Sequence, residues 1–104
     1  MTTYVLVFKG GAGATLTEEQ EQANMLLWRG WFAALGDDLV DGGNPFVSSR
    51  ALASDGGVQD ASSDLTGYSI IKAEHLDAAT EKARGCPVLA NGGSIEIYET
   101  FDVW

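Results

Sequence analysis

Cysteine is nearly missing from this sequence, and proline, histidine and positive charge are scarce. One Cys, two Pro and one His occur among 104 residues. Cys86 alone closes no disulfide within the chain, which fits a reducing compartment. One His and one Cys cannot supply the converging nitrogen and sulfur ligands of a zinc site, so no metal and no cofactor is expected. Six Lys and Arg stand against fifteen Asp and Glu, a formal charge of -9. Such a surface repels phosphate backbones and argues against nucleic acid as a partner. Apolar runs such as Tyr4 to Phe8 fall far short of the roughly 20 residues that cross a bilayer, so no membrane contact is expected. Met1-Thr2-Thr3-Tyr4 has no basic stretch of the kind that opens a secretory signal, and a cytoplasmic location is the default expectation.

What remains is the balance of a globular protein, 45% hydrophobic and 20% charged, with 13 Gly. One domain over residues 1–104 is expected. Tyr4 to Phe8 reads as a first strand, ended by Lys9 and the Gly10-Gly11-Ala12-Gly13 loop. Thr17-Glu18-Glu19-Gln20 has the form of a capping box and opens a helix whose first turns are acidic, as the helix dipole favours. Met25, Trp28, Phe32 and Leu35 form its apolar stripe, and Gly36 stops it. Leu27 and Trp31 lie off that stripe and need a cover; the C-terminal tail of the same chain is the expected one, a subunit contact the other. Leu39 starts a short strand that runs into the turn-rich Asp41-Gly42-Gly43-Asn44-Pro45, and Arg50 to Ala53 is taken as the second sheet strand. Ser54 to Gly57 turns the chain. Gly67 to Lys72 is a strand, Leu76 to Arg84 a helix ended by Gly85, and Ser94 to Glu99 a strand with period-two alternation.

The resulting order, βαββαβ, is the ferredoxin-like arrangement: an α+β domain with an antiparallel sheet and two helices on one face. The opposite face then presents either Tyr4, Leu6 and Phe8 or, from the later strand, Tyr68, Ile70 and Lys72. A homodimer that stacks two such open faces hides their apolar residues and encloses a cleft.

Trp31-Phe32-Ala33-Ala34-Leu35-Gly36, Leu39-Val40-Asp41-Gly42-Gly43, Gly67-Tyr68, Leu76-Asp77-Ala78-Ala79, Cys86-Pro87 and Gly92-Gly93-Ser94-Ile95-Glu96-Ile97 follow one another in an order that resembles the DGPF branch of the YCII-related superfamily. The resemblance covers nearly the whole chain, through short motifs whose specificity lies in order and spacing. It implies a ferredoxin-like dimeric α/β barrel with a cleft between subunits. Two departures stand out. Asp55-Gly56-Gly57-Val58 keeps only the first half of the Asp-Gly-Pro-Phe signature, and the His-Asp pair proposed as a dyad in the superfamily has no counterpart, because His75 precedes the second helix.

Individual motifs carry little chemistry. Asp37, Asp38 and Asp41 lack the spacing of a calcium loop, since Leu39 and Ser48 fall where ligands belong. Gly11 and Gly13 would need a third Gly at Leu16 to make a dinucleotide fingerprint, so that loop reads as a flexible connector. Cys86 reads as a buried structural thiol and His75 as an exposed residue at a helix start. Tyr68, Glu96 and Tyr98 on the open face, with Arg50 and Asp41 near its rim, are the ligand-binding candidates; Lys72 pairing with Glu96 across the sheet is the plain structural alternative. The expected function is binding of a small, mostly apolar molecule in the cleft of a homodimer, extended by fold analogy to lyase or isomerase activity. A non-catalytic protein-interaction module, with the tail Phe101-Asp102-Val103-Trp104 packed on a partner, is the alternative.

Overall fold

The computed structural model describes residues 1–10, 16–61 and 63–103. Strand β1 (Thr2–Lys9) leads to helix α1 (Glu18–Leu35), a 3-10 turn (Gly36–Asp38) and strand β2 (Leu39–Asp41). Strands β3 (Ala51–Leu52) and β4 (Val58–Gln59) precede β5 (Leu65–Ala73), helices α2 (Leu76–Ala83) and α3 (Pro87–Ala90), and strand β6 (Ser94–Glu99). An antiparallel sheet forms in the order β2-β5-β1-β6. With β3 and β4 set aside as an inserted hairpin, the architecture is compatible with a ferredoxin-like fold. The sheet is open, and the molecule is only 19 Å deep, one sheet and one helix layer. Most of the Gly10–Gly13 loop, and Trp104, lie outside the described residues.

The second strand is not where the sequence suggests. Ala51–Leu52 pairs with Val58–Gln59 in a separate hairpin, and the sheet position goes to Leu39–Asp41. Local turn chemistry decides this: the Gly57 amide donates to Asp55 Oδ1 at 2.7 Å, and Gly56 adopts φ +88°, a conformation open to glycine. Leu39 reaches the sheet directly from α1 and sets its side chain opposite Ile71, against the core.

The two faces of the sheet are also resolved. Tyr4, Leu6 and Phe8 are buried at 0–4% exposure under the helices, not on the open face. Their neighbours on β5 explain it. Leu6 lies opposite Ser69 and Phe8 opposite Gly67, so small residues on β5 make room for large ones on β1, and a Cβ at Gly67 would lie 3.5 Å from the Phe8 ring. Ser69, itself fully buried, donates its hydroxyl to the Gly42 carbonyl at 2.7 Å. Tyr68, Ile70 and Lys72 do occupy the open face, in register with Val7, Val5 and Thr3.

Helix α1 starts as expected: Gln20 N donates to Thr17 Oγ1 at 3.2 Å, and Thr17 N donates to Gln20 Oε1 at 3.0 Å. Trp31 is buried, but its cover is the end of α2 and not the tail. Its indole N–H donates to the Lys82 carbonyl at 3.0 Å, and a side chain at Gly85 would press on the ring at 3.1 Å. Phe101 and Val103 of the tail are exposed, as is Leu27. His75 caps α2, its Nδ1 accepting from the Ala78 amide at 3.0 Å. The short helix α3, unanticipated, opens on Pro87 at its first turn, where a missing N–H costs nothing.

Candidate functional site

A cavity of about 620 Å³ lies between α1 and the ends of β1 and β5. Helix periodicity places Asn24, Met25, Trp28, Arg29 and Phe32 along one side of it. Phe8 projects into it from β1, and Val88 reaches it from α3. The rings brace one another: Trp28 lies 5.5 Å from Phe8 and 5.7 Å from Phe32, both tilted, and 5.6 Å edge-on from the buried Trp31. The stripe expected to be pure core therefore divides. Leu35 is buried, Trp28 and Phe32 are half-buried, and Met25 stands 55% exposed.

The facing wall is backbone. Asp41 Oδ1 accepts from the Gly43 amide at 2.7 Å, which turns the chain after β2. Gly43 then sits at φ +73° with its Cα so close to β5 that a Cβ would run into the Tyr68 carbonyl oxygen. A Cβ on Gly42 would reach the Phe32 ring at 3.2 Å, so both glycines are needed for the loop to pass here and leave the space open. Phe46 N donates to Thr66 O at 2.8 Å and closes the loop against β5.

The lining is mostly hydrocarbon and ring, with polar groups from Arg29, Asn24, Asn44 and Thr66. Asn24 is engaged by Asn91 at 3.0 Å and Thr66 donates to Gly10 O at 2.9 Å. None of the chain's fifteen acidic residues is among the lining residues. No protein-family model and no curated protein matches this sequence.

The residues singled out in the sequence fall mainly on the other side of the sheet. Tyr68, Val7 and Glu96 form one row across β5, β1 and β6, and Ile70, Val5 and Tyr98 form the next. Tyr68 stacks on Phe46 with ring centroids 5.8 Å apart and also borders the cavity. Glu96 pairs with Lys9 at 3.3 Å, not with Lys72, and accepts from the Tyr98 hydroxyl at 3.0 Å. The Tyr98 hydrogen bond, then Lys9, hold the Glu96 carboxyl below its ordinary pKa, and the same bond pushes Tyr98 upward. Arg50 is exposed on the segment before β3, outside the four-stranded sheet. Three of the four candidates thus share a face, and Arg50 does not join them.

The remaining chemistry is structural. Among the described residues, no three His, Cys, Asp or Glu converge as a metal site. Asp38 pairs with Lys82 at 3.0 Å and Asp41 is occupied by its turn. Cys86 is buried, which raises its thiol to about 11 and keeps it protonated at neutral pH. The residues that sequence reasoning assigned to core, Trp28 and Phe32, and one it did not single out, Arg29, are those that line the cavity. The available signal was an over-apolar helix followed by Gly42-Gly43-Asn44-Pro45, a loop too thin to fill the space beneath it.

Proposed function

We propose that this chain is a ligand-binding domain that holds a small, mostly apolar molecule between α1 and the sheet and assembles as a homodimer through its open sheet face. The carrying observation is the ring-walled cavity of about 620 Å³, within the range of roughly 300 to 1,000 Å³ typical of small-molecule sites. Membership of the YCII-related superfamily, in its DGPF-like branch, and the ferredoxin-like dimeric barrel belong to the same proposal and rest on motif order and strand order. The ligand position differs from the inter-sheet cleft first expected: the cavity supporting it lies within one chain, on the helix side.

Dimerisation is supported by the second face. Val5, Val7, Ile70, Tyr68 and Tyr98 lie on it in adjacent rows, with Lys9, Lys72 and Glu96 among them. In a chain of net charge -9 this face is close to neutral, which lowers the repulsion between two copies. Binding has better support than lyase or isomerase catalysis, because the described lining includes no carboxylate, imidazole or thiol to move a proton. A protein-interaction role draws on one observation, the exposure of Val47, Leu52, Val58 and Phe101.

The test is ligand-observed NMR with a panel of one- and two-ring fragments, run beside native mass spectrometry. Fragments should bind the wild-type chain and bind weakly or not at all to Gly42→Val, whose side chain would crowd Phe32 and narrow the cavity. A panel with no binders, or equal binding by the variant, would overturn the binding reading. Native spectra should show twice the 11.0 kDa chain mass.

A further inference from the structure

We infer that the ligand is a planar aromatic anion, such as an aryl carboxylate, whose ring lies against Trp28 and Phe32 and whose charge is taken by Arg29. This rests on the binding reading above. It is carried by a charge distribution that runs against the rest of the molecule. Basic residues are outnumbered by fifteen to six in the chain, yet the one ionisable side chain with a fixed charge among the cavity's described lining is Arg29.

Among the described residues Arg29 is also uncommitted. The three ion pairs among the described residues use Lys9, Lys82 and Arg84, and Arg29 forms none of them. It stands one residue after Trp28 and four after Met25, at the exposed edge of the lining stripe. An acid group at the mouth would keep partial hydration there while its ring displaced water from the apolar interior. A guanidinium presents a planar fork that matches a carboxylate with two parallel hydrogen bonds. Of the other polar groups at the site, the Thr66 hydroxyl is spent on the Gly10 carbonyl and Asn24 Oδ1 accepts from Asn91, which leaves the amides of Asn24 and Asn44 as neutral donors beside the one charged donor, Arg29. The chain's net charge of -9 opposes anions in general, so a carboxylate preference at this cavity has to come from Arg29 itself.

Matched probes test it: 2-naphthoate and 2-naphthalenemethanol, which share a ring system and differ in charge, titrated by tryptophan fluorescence. Wild type should favour the carboxylate by about tenfold or more, the scale of a hydrogen bond to a charged group. Arg29→Gln should remove that preference, weakening the carboxylate far more than the alcohol, while Arg29→Lys should recover part of it. Glutamine is nearly as good a helix former as arginine, so the exposed substitution preserves α1, and circular dichroism checks this. Equal binding of both probes by wild type, or a preference that survives in Arg29→Gln, would overturn the assignment of charge and leave the binding reading standing. Binding of neither probe would overturn the ligand class, and the fragment panel then decides the cavity reading separately.

Discussion

The same strands build two unlike surfaces. On the helix side Tyr4, Leu6 and Phe8 are buried, Leu6 and Phe8 opposite the small Ser69 and Gly67 of β5, in one core with Trp31, Ala79, Ala83 and Val88. On the other side Val5, Val7 and Ile70 are only half-buried and share the surface with Lys9, Glu96 and Tyr98. Since the residues alternate along one backbone, strand propensity does not separate the faces. Coverage does: the helix side carries the monomer's stability, and the open side is free to serve assembly.

The strongest way to break that contrast is Leu6→Ala. Leu6 is 0% exposed, and the change should cost about 3 kcal/mol in urea denaturation, against less than about 1 kcal/mol for Val7→Ala beside it. Equal costs would mean that the open face is as essential to the folded monomer as the core. Next is Gly43→Ala, which needs a Cβ where the Tyr68 carbonyl already lies, at φ +73°. A loss of about 2 kcal/mol is expected, together with weaker fragment binding, because the loop must lift away from β5. A wild-type melting curve would show that the loop closes the cavity in another way.

Val5→Asp addresses the open face alone. It should abolish the proposed dimer in sedimentation velocity while costing the monomer only about 1 kcal/mol, the span of strand preferences. A dimer that survives it assembles through a different surface. Cys86 probes the sealed side by pH. Its thiol lies raised from 9.0 to about 11 by burial, so folding is favoured by the protonated form. That contribution is complete below pH 9 and is lost as pH rises through 11. Stability should fall across that window in wild type and less in Cys86→Ala, after correction for the variant's lower starting value. The smallest effect is expected for Lys9→Gln, since Lys9 and Glu96 are both partly exposed and screened. Glu96 has its pKa lowered in the folded chain, so its contribution is present above the unfolded pKa and fades as pH falls through the folded one. Lys9→Gln should shift the acid limb of the stability profile slightly upward in pH, and a flat response would assign the shift to Tyr98.

Much of the fold was legible because its signals are local. The Thr17–Gln20 box, the stop at Gly36 and the alternation of Ser94 to Glu99 each act within a few residues. Arg50 to Ala53 misled because a strand is assigned to a sheet by its partner, and the Asp55-Gly56-Gly57 turn supplied a nearer one. The cavity was less legible. Trp28 and Phe32 have the spacing of core residues, and only the passage of Gly42 and Gly43 over β5 leaves their rings facing open space.

By itself the sequence determined the caps of the two long helices, the main turns, the types of the longer elements and the excess of negative charge, all of which follow from neighbours along the chain. Tertiary structure alone decided which parity of β1 was buried, which segment became β2, and where the apolar helix stripe stopped being core and became the wall of a site. The reason is physical: period-two and period-3.6 patterns state that a residue faces one side, but burial depends on the bulk of what arrives there from elsewhere, such as Gly67 and Ser69 opposite Phe8 and Leu6.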